Sequence, residues 1–376
     1  MLASYQEGMT MFFNPKIFFL AAPPSLVLWN CETHQQFELD EQYQTRLTQL
    51  IVQIEKFDFD HEIDRDLFNA GVLVTDNSHG TKWGWDVLSK IFHTGTKNIP
   101  LPSQPRNLAE WALQYSTHCN TTLAKTYPIE NFSNPGPNLI SLPAPNPSLL
   151  KSLLHGLTKR KTCRNYNTTP IPLHKISTVL YFGLGYLAER IDNESEDIPP
   201  EYSFRRSSPS GGGLNATEGY LLAANIESLP PGLYYYNPNL HSLELRSPLK
   251  DTVLGSLLNG QHFIDNLPLG IFLTSRFDKL WWKYEHSRAY RMALIEVGHV
   301  AQTLQLLMTS CGMQTWLTGA LNENSIEQLL HLGQGTEEVL FFLGGGYGDG
   351  KAIPIQLKQQ MAEQNNDPAK NPRKHP

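Results

Sequence analysis

Three groups of residues in this chain could do chemistry. The first is the run Lys159-Arg160-Lys161-Thr162-Cys163-Arg164-Asn165-Tyr166, the one dense basic stretch of the sequence. Arg160 and Arg164 stand four residues apart, and at a helix end two guanidinium groups so spaced can converge bidentately on a phosphate. A solvated basic helix terminus is the plainer alternative. The second group is the loop Ser208-Pro209-Ser210-Gly211-Gly212-Gly213, whose glycines allow backbone N–H groups close to a ligand. Taken as a bare string it could equally be an ordinary turn. The third is Lys283-Tyr284, an ammonium next to a phenol. A phenol with a pKa near about 10 is a poor base at neutrality, but a neighbouring cation favours the phenolate. Adjacent residues on a regular helix point about 100° apart, so the pair can converge only if 281–285 is irregular. Trp281 and Trp282 could wall a pocket or fill a core. His286 and His299 could exchange protons or be hydrogen-bonded core residues. The His, Cys and carboxylate spacings predict no metal site.

These groups need elements to position them, and the dominant one is a helix predicted from about His286 to Cys311. Ala293, Val297, Val300, Ala301, Leu304, Leu307, Met308 and Cys311 recur at three- and four-residue spacing. Leu294, Ile295 and Leu306 make it apolar nearly all round, which predicts burial in a large core, with Gly312 as its stop. Two further helices are expected, one through Leu149, Leu150, Leu153, Leu154 and Leu157, the other through Ile176, Val179, Leu180, Gly183, Leu184 and Leu187. The second contains Gly183-Leu184-Gly185-Tyr186-Leu187-Ala188. This matches a dinucleotide fingerprint only superficially, because no strand feeds a turn there. Strands are expected at Tyr220–Asn225, Leu233–Tyr236, Leu243–Arg246, Gly270–Thr274, Thr315–Thr318 and Val339–Leu343, the last running into Gly344-Gly345-Gly346.

Ahead of these lies a smaller unit. Ser25–Trp29 and Gln35–Leu39 read as a hairpin, and Asp40 as the N-cap of a helix carrying Leu47, Leu50, Ile51 and Ile54. A short helix Asp64–Ala70 stops at Gly71 before a strand Val72–Thr75, and another helix runs through Val87, Leu88, Ile91 and Phe92. The order is winged-helix-like. Such modules often bind DNA, but the helices lack runs of Arg or Lys and the net charge is −6, so peptide docking or scaffolding is expected and nucleic acid is not. The predicted domains are a winged-helix-like unit at 1–135, a Pro-rich linker at 136–148, a catalytic domain at 149–357 and a disordered tail at 358–376. Cys31, Cys119, Cys163 and Cys311 read as free thiols of a reducing compartment. The apolar run Ile17–Trp29 is broken by Pro23-Pro24 and too short for a bilayer, so a cytoplasmic, membrane-free protein is expected.

A family resemblance rests on Arg160-x-Thr162-x-Arg164-x-Tyr166, Ser208-Pro209-Ser210-Gly211-Gly212, Pro231-Gly232-Leu233-Tyr234, Lys283-Tyr284, Arg288-Ala289-Tyr290-Arg291 and Gly298-His299. Together these resemble the SagB-type branch of the nitroreductase superfamily, FMN-dependent dehydrogenases that oxidise thiazolines and oxazolines in ribosomally made peptides. The resemblance covers about 140–350, and residues 1–135 resemble, more weakly, the precursor-recognition modules of some members. It implies an α+β fold, with a nitroreductase-like mixed sheet wrapped by helices around a long central helix. It also implies a homodimer with FMN at interfacial sites, a precursor-peptide substrate and a cyclodehydratase as possible partner. On this reading Lys283 and Tyr284 are catalytic, while Arg160, Thr162, Arg164, Ser208, Pro209, Ser210, Gly211, Gly344 and Gly345 hold the cofactor. Thr162 stands where the family usually has Ser. The C-terminal cation that many members place on the phosphate has only Lys351 as a candidate. The alternatives are an NAD(P)H-dependent nitro- or quinone reductase and a non-catalytic peptide-binding subunit of a modification complex.

Overall fold

The computed structural model describes residues 10–75, 83–98, 103–123, 151–187, 204–250, 252–284, 288–333 and 335–366. By its internal contacts the chain divides into two compact units. One holds the residues up to 101 together with 284–290 and 334–336, and the other holds the remainder.

In the first unit, β1 (Phe12–Phe13) is followed by β2 (Ile17–Ala22), β3 (Ser25–Asn30) and β4 (Gln35–Leu39), then α1 (Glu41–Val52), α2 (Glu62–Asn69), β5 (Leu73–Val74) and α3 (Val87–Gly95). The expected hairpin is therefore two strands of a three-stranded antiparallel sheet in the order β2-β3-β4. The added strand is the apolar run that ends at the prolines. Asp40 caps α1 as expected, its carboxylate accepting the N–H groups of Gln42 and Tyr43 at 3.0 Å. Leu47 and Leu50 join Leu28, Leu67 and Leu73 in the core, whereas Ile51 is exposed and Ile54 lies past the helix end in a 3-10 turn. Gly71 ends the second helix with φ +68°, a left-handed conformation that suits glycine. Buried Asp64 locks α1 to α2, receiving Arg46 Nε at 2.7 Å, Arg46 Nη2 at 2.6 Å and the Asp58 N–H at 2.8 Å.

The second unit comprises α4 (Leu108–Leu123), α5 (Lys151–Lys159), α6 (Leu173–Leu184), β6 (Thr217–Ala223), β7 (Gly232–Asn237), β8 (Ser242–Pro248), α7 (Leu254–Leu257), β9 (Leu269–Arg276), α8 (Phe277–Lys283), α9 (Arg288–Ser310, beginning in the first unit), β10 (Gln314–Thr318), α10 (Glu323–Leu330), β11 (Glu337–Gly346) and α11 (Ile355–Asn366). Six strands form one sheet in the order β10-β11-β9-β6-β7-β8. The α+β class is as expected, but every ladder between named strands is antiparallel. Parallel pairing is confined to the isolated bridges Thr162–Thr315 and Ile171–Ile226. Short turns join β6 to β7 and β7 to β8, and such connections permit only antiparallel neighbours.

Alternation along β6 builds a core on each face of the sheet. Leu221 and Ala223 pack toward α6 and α9, while Tyr220 and Leu222 face Phe272, Phe342 and Trp316 beneath α7 and α10. The approach of α6 to α9 is so close that a Cβ at Gly183 would lie 2.3 Å from Leu304 Cδ2. Gly183 thus serves helix packing, in line with the rejection of the dinucleotide fingerprint.

Helix α9 uses the expected stripe, with Val297, Val300, Ala301, Leu304 and Met308 in the core. Its full burial was not met: Arg291, Met292, Leu294, Ile295, Gly298, His299 and Gln302 are exposed along one side. The expected tail is corrected over 358–366, which belong to α11. Its Gln, Lys, Met, Ala and Glu residues are good helix formers. The helix docks on α4, which precedes the Pro-rich stretch in sequence yet belongs to this second unit. The linker 136–148, Leu149, Leu150, Ala188 and 367–376 lie outside the described residues.

Candidate active site

The basic run begins at a helix end, where the Arg160 N–H donates to Gly156 O at 3.0 Å. α5 stops at Lys159, and the chain then runs extended, with the Cys163 N–H donating to Thr315 O at 2.9 Å and the Arg164 N–H to Lys351 O at 3.0 Å. Arg160 and Arg164 are not held together on one helix: the chain between them leaves α5 and bridges Thr315 through Thr162. Arg164 is spent locally: its Nη1 donates to Ala352 O at 2.6 Å and its guanidinium lies 5.6 Å from the Phe263 ring centre. Arg160, by contrast, has no side-chain hydrogen bond or ion pair among the described residues. Lys351 is brought to the same strand end, with Nζ 3.7 Å from Asp349. The Tyr166 hydroxyl is buried there without a hydrogen-bond partner among the described residues, and burial pushes its pKa well up.

The loop from Ser208 is held by α9. Ser208 Oγ and Thr303 Oγ1 are 2.8 Å apart, and Ser210 Oγ donates to Glu296 Oε2 at 2.7 Å. The other Glu296 oxygen accepts the Thr217 N–H at 2.9 Å, so one buried carboxylate fastens both ends of the loop to the helix. Gly211–Gly213 form a 3-10 turn with Gly212 and Gly213 at positive φ. The first N–H groups of such a turn have no partner within it and remain available to a ligand. Lys283, the last residue of α8, donates from Nζ to Gly212 O at 3.1 Å, so the structure brings together one predicted catalytic residue and the predicted loop. Gly344 and Gly345 are not in a loop. They sit inside β11, where a Cβ would come within 2.9 Å of Leu267 and 2.7 Å of Met308 respectively, which accounts for glycine there by packing alone.

Tyr284 follows α8 in non-helical backbone and its carbonyl accepts Trp85 Nε1 at 3.2 Å. His286 lies outside the described residues, and His299 is exposed on α9 and not in the core. Trp282 lines a cavity of about 540 Å³ with Tyr186, Phe204, Asn215 and Lys279. Beside it the sheet carries a buried charged network. Glu218 accepts Lys279 Nζ at 2.6 Å and pairs with Arg206 at 3.5 Å. Glu337 accepts Thr274 Oγ1 at 2.6 Å and Tyr220 OH at 2.9 Å, and burial together with the Glu218 charge raises its pKa.

Sequence reasoning missed Glu296, Arg206, Glu218 and Glu337. The available signal for Glu296 was a carboxylate between Ala293 and Val300 on the apolar stripe of a core helix. A charge at such a position is costly unless paired or hydrogen-bonded.

Among the described residues there is no metal-binding cluster, and no helix is long and apolar enough to cross a membrane. Comparison with known proteins matches residues 157–347 to the nitroreductase family. The chain is 28% identical over 180 residues to Putative nitroreductase MJ1384 of Methanocaldococcus jannaschii, covering 47% of this chain and 82% of the relative. It is 30% identical over 147 residues to the microcin B17-processing protein McbC of Escherichia coli, covering 37% of this chain and 53%, about half, of that one. Among solved structures, the E. coli microcin synthetase McbBCD complex with truncated pro-MccB17 bound matches at TM-score 0.48 and 21% identity, over 70% of this chain and 92% of that one. With the family match spanning half of its length, the chain belongs to the nitroreductase family.

Proposed function

We propose that this protein is an FMN-dependent dehydrogenase that oxidises thiazoline or oxazoline rings in a ribosomally made peptide to the aromatic azoles. The observation that carries the reading is the junction of Lys283 with the Gly211–Gly213 turn, which puts a cation of the predicted catalytic pair against the predicted ring-binding loop. Support comes also from the likeness to McbC, a protein that processes microcin B17.

The residues present fit FMN in part. The guanidinium of Arg160, which has no side-chain partner among the described residues, suits a phosphate, with Thr162 two residues on. The turn at 211–213 offers N–H donors to a ring edge, and Gly298 leaves open space where a side chain would stand on the exposed side of α9. One of the Arg164 donors, on Nη1, is already bonded to Ala352 O, so less of its guanidinium is left for the phosphate. FMN, when bound, supplies the two-electron acceptor for a hydride leaving the azoline ring. The chain supplies the proton acceptor: Tyr284 takes the proton from the adjacent α-carbon, while Lys283 is held by its bond to the Gly212 carbonyl. Trp282 walls the cavity beside them in sequence.

The remaining parts of the reading follow the chemistry. A cyclodehydratase must act first, since it makes the azolines. The exposed Met292, Leu294 and Ile295 of α9, with Leu153 and Leu157 of α5, would be covered in a homodimer. β2 and β4 are open edges of the first unit's sheet, and an extended precursor segment could add to one of them.

The test is to load the purified protein with FMN and supply an azoline-containing peptide. Loss of two hydrogens per ring by mass spectrometry is expected, without any nicotinamide. Turnover of nitroaromatics or quinones with NAD(P)H, and none of the peptide, would assign the protein to the reductase alternative.

A further inference from the structure

The residues that follow the candidate catalytic lysine are gripped by the N-terminal part of the chain. Tyr290, buried in the first turn of α9, is surrounded by rings from a single short segment. Trp85 and Phe92 each meet it edge-on at 5.9 Å, Trp83 at 6.2 Å and His93 at 5.5 Å. Four aromatic partners give both geometric definition and a large buried area. His93 Nδ1 lies 2.7 Å from the Tyr290 hydroxyl, and Trp83 stacks on His93 at 5.4 Å. The segment is itself well built: Asp86 caps α3 by accepting the Ser89 N–H at 2.9 Å, and Ser89 Oγ accepts Trp83 Nε1 at 3.0 Å. Trp85 then reaches from this framework to the backbone of Tyr284, with Nε1 3.2 Å from its carbonyl oxygen. Residues 284–290 accordingly cluster with the N-terminal unit, although in sequence they stand almost 200 residues beyond it.

We infer that Trp85 is a positioning residue for Tyr284. The inference rests on the reading of Tyr284 as the base. A carbonyl fixed by one indole N–H and a helix start fixed by Tyr290 both hold the backbone on the C-terminal side of the catalytic phenol. Preorganisation of this kind is what a misplaced general base loses first.

The test uses the full-length, FMN-loaded protein. Trp85→Phe keeps the ring against Tyr290 and deletes the donor, a bond worth about three- to tenfold in rate. We expect kcat to fall by that factor, KM and flavin occupancy to stay unchanged, and amide exchange over 284–290 to quicken. Tyr290→Phe, which keeps the ring and loses the bond to His93, should act in the same direction. The decisive arm is Trp85→Phe in a Tyr284→Phe background, where it should have no further effect on residual turnover. An unchanged kcat for Trp85→Phe, or the same fold loss in both backgrounds, would overturn the inference while leaving the base assignment standing. Wild-type turnover of Tyr284→Phe would overturn the base assignment and this inference with it.

Discussion

Ser210 donates its hydroxyl to Glu296 at 2.7 Å, so the serine of the glycine-rich loop is fastened to the middle of the longest helix by a buried carboxylate. The same carboxylate accepts the Thr217 N–H. Glu296→Ala would strand both donors, at roughly 1–3 kcal/mol for a buried unsatisfied group. A lowered Tm and weakened FMN retention are expected together, measured by calorimetry and by flavin released on dilution. Glu296→Gln, which keeps one acceptor oxygen, should fall between the two.

The two arginines of the basic run should separate cleanly. Arg160→Ala removes a charge-assisted contact to phosphate worth roughly 1.5–3 kcal/mol, so flavin affinity should fall on the order of tenfold to a hundredfold with little change in Tm. Arg164→Ala should lower Tm instead, because its guanidinium ties the 160–166 stretch to Ala352 and Phe263. Flavin titration and thermal unfolding of both variants check the contrast.

Tyr284→Phe should keep flavin and peptide binding and lose turnover by about 10²–10⁴-fold, the range for removing a general base. Lys283→Ala should slow the reaction, because the bond from its Nζ to the Gly212 carbonyl is gone. Rate profiles over pH for both variants decide it.

Asp64 and Glu337 should respond to acid in opposite senses. Burial alone would raise Asp64, but the Arg46 hydrogen bonds outweigh it and hold the pKa below its ordinary 3.8. A carboxyl lowered on folding adds stability above its ordinary pKa, and that stability is lost as pH falls through the lowered value. Asp64→Ala should cost roughly 3 kcal/mol near neutrality, as a buried ion pair broken on one side does, and the cost should shrink in acid. Glu337 is raised above 4.5, chiefly by burial. Its stabilising contribution is therefore fullest below 4.5 and is lost as pH rises through the raised value. Glu337→Gln keeps an acceptor for Thr274 and Tyr220, so it should be the more stable protein at neutral pH. Denaturant titrations across pH measure both.

Much of this was legible in the residues, and the exceptions have physical causes. The stripe of α9, the Asp40 cap and the strands at 220, 233, 243, 270, 315 and 339 announce themselves by period and turn chemistry. α8 is seven residues long, too short to show a helical period, so the sequence left open whether 281–285 is irregular; Trp281–Lys283 are helical and Tyr284 is the first residue off the helix. α11 is polar on most sides and looks like tail until its docking on α4 is seen. Val87, Leu88 and Phe92 do lie on a helix, but they face outward, and the inward residues are Ser89 and His93. The Tyr290 hydroxyl that meets His93 is far away in sequence. The basic run pairs its backbone with Thr315, a long-range contact that local spacing does not reveal.

The three glycines that end β11 have a consequence for how the sheet can assemble. A side chain at Gly344 would strike Leu267, one at Gly345 would strike Met308, and one at Gly346 would strike Pro268, with approaches of 2.9, 2.7 and 2.5 Å. If the strand slipped by one residue, Leu343 would have to enter the Gly344 slot and all following residues would change face. The bare end of the strand works as a key in a keyway, admitting β11 between β9 and β10 in a single register and rejecting its neighbours by collision.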